Sequence, residues 1–283
     1  MPIRMTLPPT FAERLAASDR PLAGMWVCSG SPLIAEIAAG SGLDWLLIDG
    51  EHSPNSLESI LAQLQAIAAY PATPLVRPPY GDVVTIKQYL DLGVQNLLVP
   101  MVDSAEHAAE MVRAVRYPPA GVRGVGSALA RASRWNRVPD YLADAAGTLS
   151  LTVQIESTAA VEHVEEILAV DGVDAIFVGP SDLAASMGLL GQQEHVDVVA
   201  AAEHCIRAAV AAGKPAGVNA FAPAVADRYL EAGASFVLVG ADVAMLARAS
   251  EALAERFITE RDNGAADADR GAGEGSGAAR ASY

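Results

Sequence analysis

Lysine, cysteine and aromatic residues are scarce in this chain of 283 residues, and each scarcity excludes something. The two cysteines, Cys28 and Cys205, stand far apart and outside any C-x-x-C pair. Neither a disulfide framework nor a zinc ribbon is therefore expected, and both read as small core residues. Aromatics make up only 5% of the chain, while hydrophobic residues reach 52%, chiefly Ala, Val and Leu. That balance suits a helix-rich α/β protein whose helices pack through alanine. No apolar run approaches the roughly 18 residues of a membrane helix. The opening stretch MPIRMTLPPTFAERLAASDR lacks the apolar core of a signal peptide. A cytoplasmic protein without a membrane partner is expected. Basic residues are also few, 19 Lys and Arg against 34 Asp and Glu, for a net charge of -15. Binding nucleic acid needs Lys and Arg to displace counterions from phosphates, so that partner is not expected, and neither is an anionic membrane surface.

What is present is a rhythm. Short apolar runs at Met25–Cys28, Trp45–Asp49, Leu75–Arg77, Asn96–Val99, Leu151–Ile155, Ala175–Val178, Ala216–Asn219 and Phe236–Val239 read as strands. They are apolar throughout, the pattern of parallel strands buried on both faces. Segments of helical period fall between most of them, at 56–70, 105–117, 159–170, 196–213 and 223–233, and several end in Gly. Eight strands alternating with helices predict a (β/α)8 TIM barrel as a single domain, over residues 23–258, with an N-terminal extension at 1–22. An open doubly wound sheet is the alternative, but no G-x-G-x-x-G follows the first strand. Two stretches break the rhythm. The segment YPPAGVRGVGSALARASRWNRVPD (117–140) is long and carries Arg123, Arg131, Arg134 and Arg137, which suits an anionic ligand, an acidic partner subunit or intersubunit ion pairs. The tail from residue 259 to 283, rich in Ala, Gly and charge, is expected to be disordered.

In a barrel of this type the chemistry lies at the C-terminal ends of the strands. Followed outward, the second strand ends in Asp49, with Glu51 and His52 next. The third ends in Arg77 and the fifth in Gln154 and Glu156. The sixth runs into Ser181 and Asp182, and the seventh ends in Asn219. The opposite ends supply mostly turn residues, an asymmetry that points to an enzyme. Glu156 and Asp182 are two carboxylates on neighbouring strands. They suit a hard divalent cation with positions left for a bidentate oxygen ligand, although each could equally cap a helix. His52 could serve as a general base, oriented by Asp49, or as a structural loop histidine. Arg77 needs an anionic partner, which could be a protein carboxylate or a substrate. Gln154 shares a strand face with Glu156.

The stretches DWLLIDGEHSPN, VRPP, LLVPMV, RYPPAGVRGVGSALARASRWNR, VQIES and GVDAIFVGPSDLAASMG resemble the metal-dependent (class II) pyruvate aldolases of the HpcH/HpaI family, from about Gly24 to Phe257. The resemblance implies a (β/α)8 barrel, a homohexamer, and a divalent metal (Mg2+, Mn2+ or Co2+) on Glu156 and Asp182. It implies His52 as base assisted by Asp49, Arg77 on the pyruvyl oxygen, and Gln154 beside the metal waters. The backbone amides around Ser181 and Asp182 would then take the pyruvate carboxylate. The expected reaction is reversible cleavage of a 4-hydroxy-2-oxo acid to pyruvate and an aldehyde. No lysine Schiff base is needed, since Lys87 and Lys214 fall in a helix and a turn. Asn219 departs from the family pattern, replacing an aliphatic residue. A polar amide there favours hydroxylated acceptors, as in a sugar-acid aldolase. A CoA-ester lyase and a non-catalytic barrel are the remaining alternatives.

Overall fold

The computed structural model describes residues 3–259. All but the first residue of the tail expected to be disordered thus lies outside the described residues. The chain opens with α1 (Phe11–Ala17), then alternates β1 (Leu22–Val27), α2 (Pro32–Ala39), β2 (Trp45–Asp49), α3 (Leu57–Ile67), β3 (Thr73–Arg77), α4 (Val83–Asp91), β4 (Asn96–Val99) and α5 (Ala105–Val115). The long connection to β5 (Ser150–Ile155) holds only short turns of 3-10 helix and α6 (Tyr141–Asp144). Beyond β5 follow α7 (Thr158–Glu162), α8 (Val164–Leu168), β6 (Ala175–Val178), α9 (Pro180–Ser186), α10 (Val196–Ala211), β7 (Ala216–Asn219), α11 (Pro223–Glu231), β8 (Phe236–Ala241) and α12 (Asp242–Ala254). The eight strands pair in sequence order, all parallel, and β8 closes on β1. This is the expected (β/α)8 barrel. Residues up to Asp242 form one compact unit, and those from Val243 form a second. Within the second, α12 continues into a π-helical turn, Glu255–Thr259.

Two-residue alternation along each strand separates two cores. Leu46, Ile48, Val76, Val153, Ile155, Ile176, Val178 and Val218 turn outward and join the helices in one large cluster. Leu22, Trp45, Leu47, Leu75, Leu98, Phe177, Phe236 and Leu238 form a separate cluster inside the barrel. Few aromatics are present, but four of them concentrate here. Phe11 lies 5.4 Å from the Trp45 ring and 5.1 Å from Phe236, and Phe177 stacks on Phe236 at 6.0 Å. Room for these rings comes from glycine: a Cβ at Gly24 would strike the Trp45 indole, and one at Gly217 the Phe236 ring.

The segment expected to be an extension therefore supplies part of the core. Thr10 caps α1 in a capping box with Glu13, and the Phe11 N–H donates to Asn96 Oδ1 at 2.7 Å. This fixes the helix across the N-terminal mouth of the barrel with the Phe11 ring wholly buried. Cys205 is buried as expected, whereas Cys28 is only half-buried at the end of β1. Phe11→Ala should cost about 3–5 kcal/mol, the usual range for deleting a buried aromatic, read from urea denaturation.

Candidate active site

The inward-facing positions change character as the strands are followed upward. β2 presents Trp45, then Leu47, then Asp49; β3 presents Leu75, then Arg77. β5 carries Gln154 and then Glu156 just past its end, and β7 ends in Asn219. Apolar floor and polar rim thus follow from one alternation, and Asp49 and Arg77 meet because they are register partners in the β2–β3 pair.

Asp49 is 2% exposed and Arg77 5%. Arg77 Nε donates to Asp49 Oδ1 at 2.9 Å, and its Nη1 lies 2.8 Å from Glu51 Oε2. The guanidinium carbon sits 4.3 Å from the centre of the Trp26 ring. No protein atom among the described residues accepts from Nη2. Asp49 also accepts the N–H groups of Glu51 (3.0 Å) and His52 (3.2 Å) and the Ser53 hydroxyl (2.9 Å). Burial works against ionisation of Asp49, but the hydrogen bond and charge of Arg77 outweigh it and hold the carboxyl below its ordinary range. The Asp49 carboxylate thus reaches the His52 main chain, whereas the imidazole Nε2 lies 3.7 Å from Glu51 Oε2, with the side chain 66% exposed at the mouth. Glu51 is the residue between Arg77 and the imidazole.

On the far side, Glu156 Oε1 accepts the Met101 N–H at 2.7 Å, and its Oε2 takes a very short hydrogen bond from Gln154 Nε2. Met101 has φ +55°, and this left-handed turn aims its N–H at the carboxylate. Burial, reinforced by the charges of Asp182 and Glu51, pushes Glu156 up to about 7 in spite of the Met101 bond. Gln154 Oε1 is buried without a partner among the described residues. Gly179 closes this wall: a Cβ there would lie 2.8 Å from both Gln154 Nε2 and Glu156 Oε2. Ser181 and Asp182 are exposed at the start of α9. Asn219 Oδ1 accepts the Trp26 indole N–H at 2.9 Å. Beside it, Ser181, Asn219, Phe221 and Tyr229 line a cleft of about 120 Å3. The Tyr229 hydroxyl is buried with no hydrogen-bond partner among the described residues.

The donor set suits a hard cation. Among the described residues no three His, Cys, Asp or Glu side chains are grouped as a metal site. Mg2+ and Mn2+, however, are often held by one or two carboxylates with waters and substrate oxygens completing the shell. A buried carboxyl whose ionisation is opposed by burial and by the neighbouring Asp182 charge, beside an amide oxygen unpartnered among the described residues, fits such an ion. Sequence reasoning missed Trp26, Met101, Gly179 and Tyr229, which lie far from the Asp49–His52 stretch in the chain. It also left the arginine-rich segment open. That segment joins a helix to β5 and so lies at the N-terminal end of the strands, away from this site. There Arg123 is buried against Tyr117 and Tyr141.

The fold and the site define a barrel enzyme with a carboxylate-rich catalytic end, and comparison with known proteins gives its family. Residues 22–249 match the model of the HpcH/HpaI aldolase/citrate lyase family. The chain is 56% identical over 260 residues to a hydroxypyruvate/pyruvate aldolase of Deinococcus radiodurans, covering 91% of this chain and 94% of that one. It is 56% identical over 248 residues to a 4-hydroxy-2-oxo-heptane-1,7-dioate aldolase of Shigella sonnei, covering 88% and 94%. The crystal structure of an HpcH/HpaI aldolase/citrate lyase family protein from Burkholderia cenocepacia superposes with a TM-score of 0.82 at 41% identity, covering 87% and 97%. The chain belongs to the HpcH/HpaI aldolase/citrate lyase family. It is a carbon–carbon lyase of the class II pyruvate aldolase kind, a family that works with a divalent metal.

Two outcomes are expected. A depressed carboxyl contributes stability above its unfolded value of about 4, and that contribution is lost as pH falls through the folded value. Asp49→Asn should therefore be less stable than wild type near pH 7, by about 3 kcal/mol for a broken buried pair. It should also show a shallower acid-side decline in urea melts run from pH 7 to pH 3. Gly179→Ala should keep the far-UV spectrum of the wild type while weakening Mn2+ binding, followed by electron paramagnetic resonance, at least about tenfold as Glu156 is displaced.

Proposed function

We propose that the enzyme reversibly cleaves 4-hydroxy-2-oxo acids whose aldehyde half is small and hydroxylated, with Glu156 and Asp182 holding Mg2+, Mn2+ or Co2+. The observation that carries this reading is the buried Glu156, pushed up to about 7 by burial and by the Asp182 charge, next to Gln154, whose Oε1 is unpartnered among the described residues. Once bound, the ion would supply Lewis acidity to the 2-oxo acid and neutralise the clustered carboxylates. The backbone N–H groups of Ser181 and Asp182, at the start of α9, have no intrahelical acceptors and would take the substrate carboxylate. Gln154 Oε1 would hold a water or substrate hydroxyl.

The remaining steps belong to side chains on the opposite wall. His52, exposed at the mouth, would accept the proton of the 4-hydroxyl through a water as the C3–C4 bond breaks. The aldehyde leaves, and the electron pair stays on the pyruvate half as an enolate. Arg77 is held in plane by Asp49, Glu51 and Trp26, which leaves Nη2 to stabilise the enolate oxygen. Protonation of the methylene carbon then gives pyruvate. The only two lysines are remote from this chemistry: Lys87 lies within α4, and Lys214 Nζ donates to Val170 and Val173 carbonyls.

The acceptor preference rests on the cleft beside Asn219. Asn219 gives its carbonyl oxygen to Trp26, so its amide N–H groups are left to the substrate, and the Tyr229 hydroxyl adds a second unpartnered group. Hydroxylated aldehydes match that wall. By family resemblance the enzyme would act as a homohexamer.

Exchange of pyruvate methyl protons in D2O with Mn2+ tests the assignment, because it needs only the pyruvate half. His52→Ala should slow exchange and aldol cleavage together by roughly 10²–10⁴-fold. Glu156→Gln should abolish the response to Mn2+, and exchange by that variant equal to wild type would overturn the metal assignment. Tyr229→Phe should leave methyl exchange intact while raising KM for glycolaldehyde about fivefold and leaving KM for propionaldehyde unchanged.

A further inference from the structure

At the N-terminal end of the barrel, opposite the catalytic site, lies a cavity of about 620 Å3. That is an ordinary size for a small-molecule pocket. Its walls come from the stretch before α1, the end of α3 and the turn that leads into β3, and the segment after Ala130. Among the described residues Arg14, Arg131 and Arg134 line it, and no aspartate or glutamate does. The chain carries 34 acidic residues against 19 basic ones, so a large cavity with three arginines and no acid runs against its composition.

The two inner arginines converge. A methyl group placed on Gly93 would lie 2.6 Å from Arg134 Nη1 and 2.9 Å from Arg131 Nη1, so both guanidiniums close over one α-carbon. Arg131 Nη1 donates to the Leu92 carbonyl at the C-terminus of α4 (2.9 Å), and Arg134 Nη1 donates to the Arg131 carbonyl (2.7 Å). Those bonds use one nitrogen of each. The remaining donors meet no protein acceptor among the described residues, and no carboxylate offsets either charge. Burial, with the adjoining Arg134 charge, brings Arg131 down to about 10. Burial lowers Arg134 as well. Capping of α4 explains the Leu92 bond. It does not explain a second guanidinium in the same place or walls free of acid. The backbone that delivers Arg134 is itself unusual. Arg134, Trp135 and Asn136 have φ values of 52°, 55° and 61°, three successive side-chain-bearing residues in the left-handed region. Trp135, half exposed, and Tyr70 give the cavity an aromatic rim.

We propose that this cavity is a binding site for a small organic oxyanion, whose phosphate or carboxylate group bridges Arg131 and Arg134 over Gly93 while its body lies against Trp135 and Tyr70. Guanidinium pairs take such groups through parallel charge-assisted bonds, and one anion would relieve the repulsion between them. The site shares no residue with the catalytic end.

Thermal melts and calorimetry on the metal-free full chain test this with inorganic phosphate, phenyl phosphate and benzoate, each matched to sodium chloride of equal ionic strength. Saturable stabilisation by inorganic phosphate is expected, stronger with phenyl phosphate. Benzoate acting alone would identify carboxylates as the ligand class and still support the site. Arg134→Gln should weaken binding of the effective anion at least about tenfold, with aldol cleavage unchanged. No stabilisation beyond the chloride control by any of the three, or equal binding by Arg134→Gln, would overturn the proposal. A wild-type crystal soaked in tungstate decides the matter even if the variant does not fold. Anomalous density between the two guanidiniums supports the site, and density only elsewhere refutes it.

Discussion

An arginine placed on the inner face of a barrel strand must find a negative partner there, because a desolvated lone cation costs far more than the fold can spare. Here the β2–β3 register supplies it, setting Asp49 directly against Arg77. The consequences spread outward from that pair. Asp49 still has lone pairs to fill and takes the N–H groups of Glu51 and His52, which curls the loop after β2 over the barrel mouth. The curl brings Glu51 to the second edge of the guanidinium and sets the imidazole beside Glu51. Trp26 covers one face of the same group. The cation, its two acids and the histidine are thus a single folded object, made from the four consecutive positions 49–52 and one strand neighbour.

Much of this was legible in the sequence, for a physical reason. Strands buried on both faces must be apolar throughout, so their limits show as changes in polarity. Trp45–Asp49, Asn96–Val99, Ala175–Val178 and Ala216–Asn219 have the same ends in sequence and structure. Reading each strand outward then located the rim residues, because alternation and strand polarity are both local properties. Non-local geometry was not legible. The segment 159–170 reads as one helix, yet it divides into α7 and α8 at His163, whose backbone leaves the helical region and whose Nδ1 lies 3.2 Å from the Asp103 carbonyl. α1 is seven residues long after a proline pair, too short to show a period, and only the barrel floor reveals that Phe11 belongs to the core. Met101 and Gly179 matter through what their backbones permit beside Glu156, which residue type alone does not disclose.

Charge is distributed by end as well as by count. At the catalytic rim Asp49, Glu51, Glu156 and Asp182 face a single buried arginine. Burial and the mutual repulsion of these acids raise Glu51 and Glu156. Such a cluster is costly in isolation and favourable around a dication, which is why its strain reads as a binding property instead of a defect. At the other end the imbalance is reversed, with guanidiniums gathered around a cavity free of acids. An overall excess of acid therefore describes the surface and hides two local sites of opposite sign.

The seventh strand joins the neighbouring cleft to this frame. An aliphatic residue at position 219 would leave the Trp26 indole N–H without the acceptor it now has at 2.9 Å. The ring that bears this N–H is the one stacked on Arg77. A polar residue at the acceptor side thus does two things through one amide. Its oxygen fixes the indole, and through it the plane of the Arg77 guanidinium. The same residue lines the cleft that Tyr229 also lines. Replacing Asn219 would consequently disturb the Arg77 side of the site as well as the cleft, because the indole joins the two.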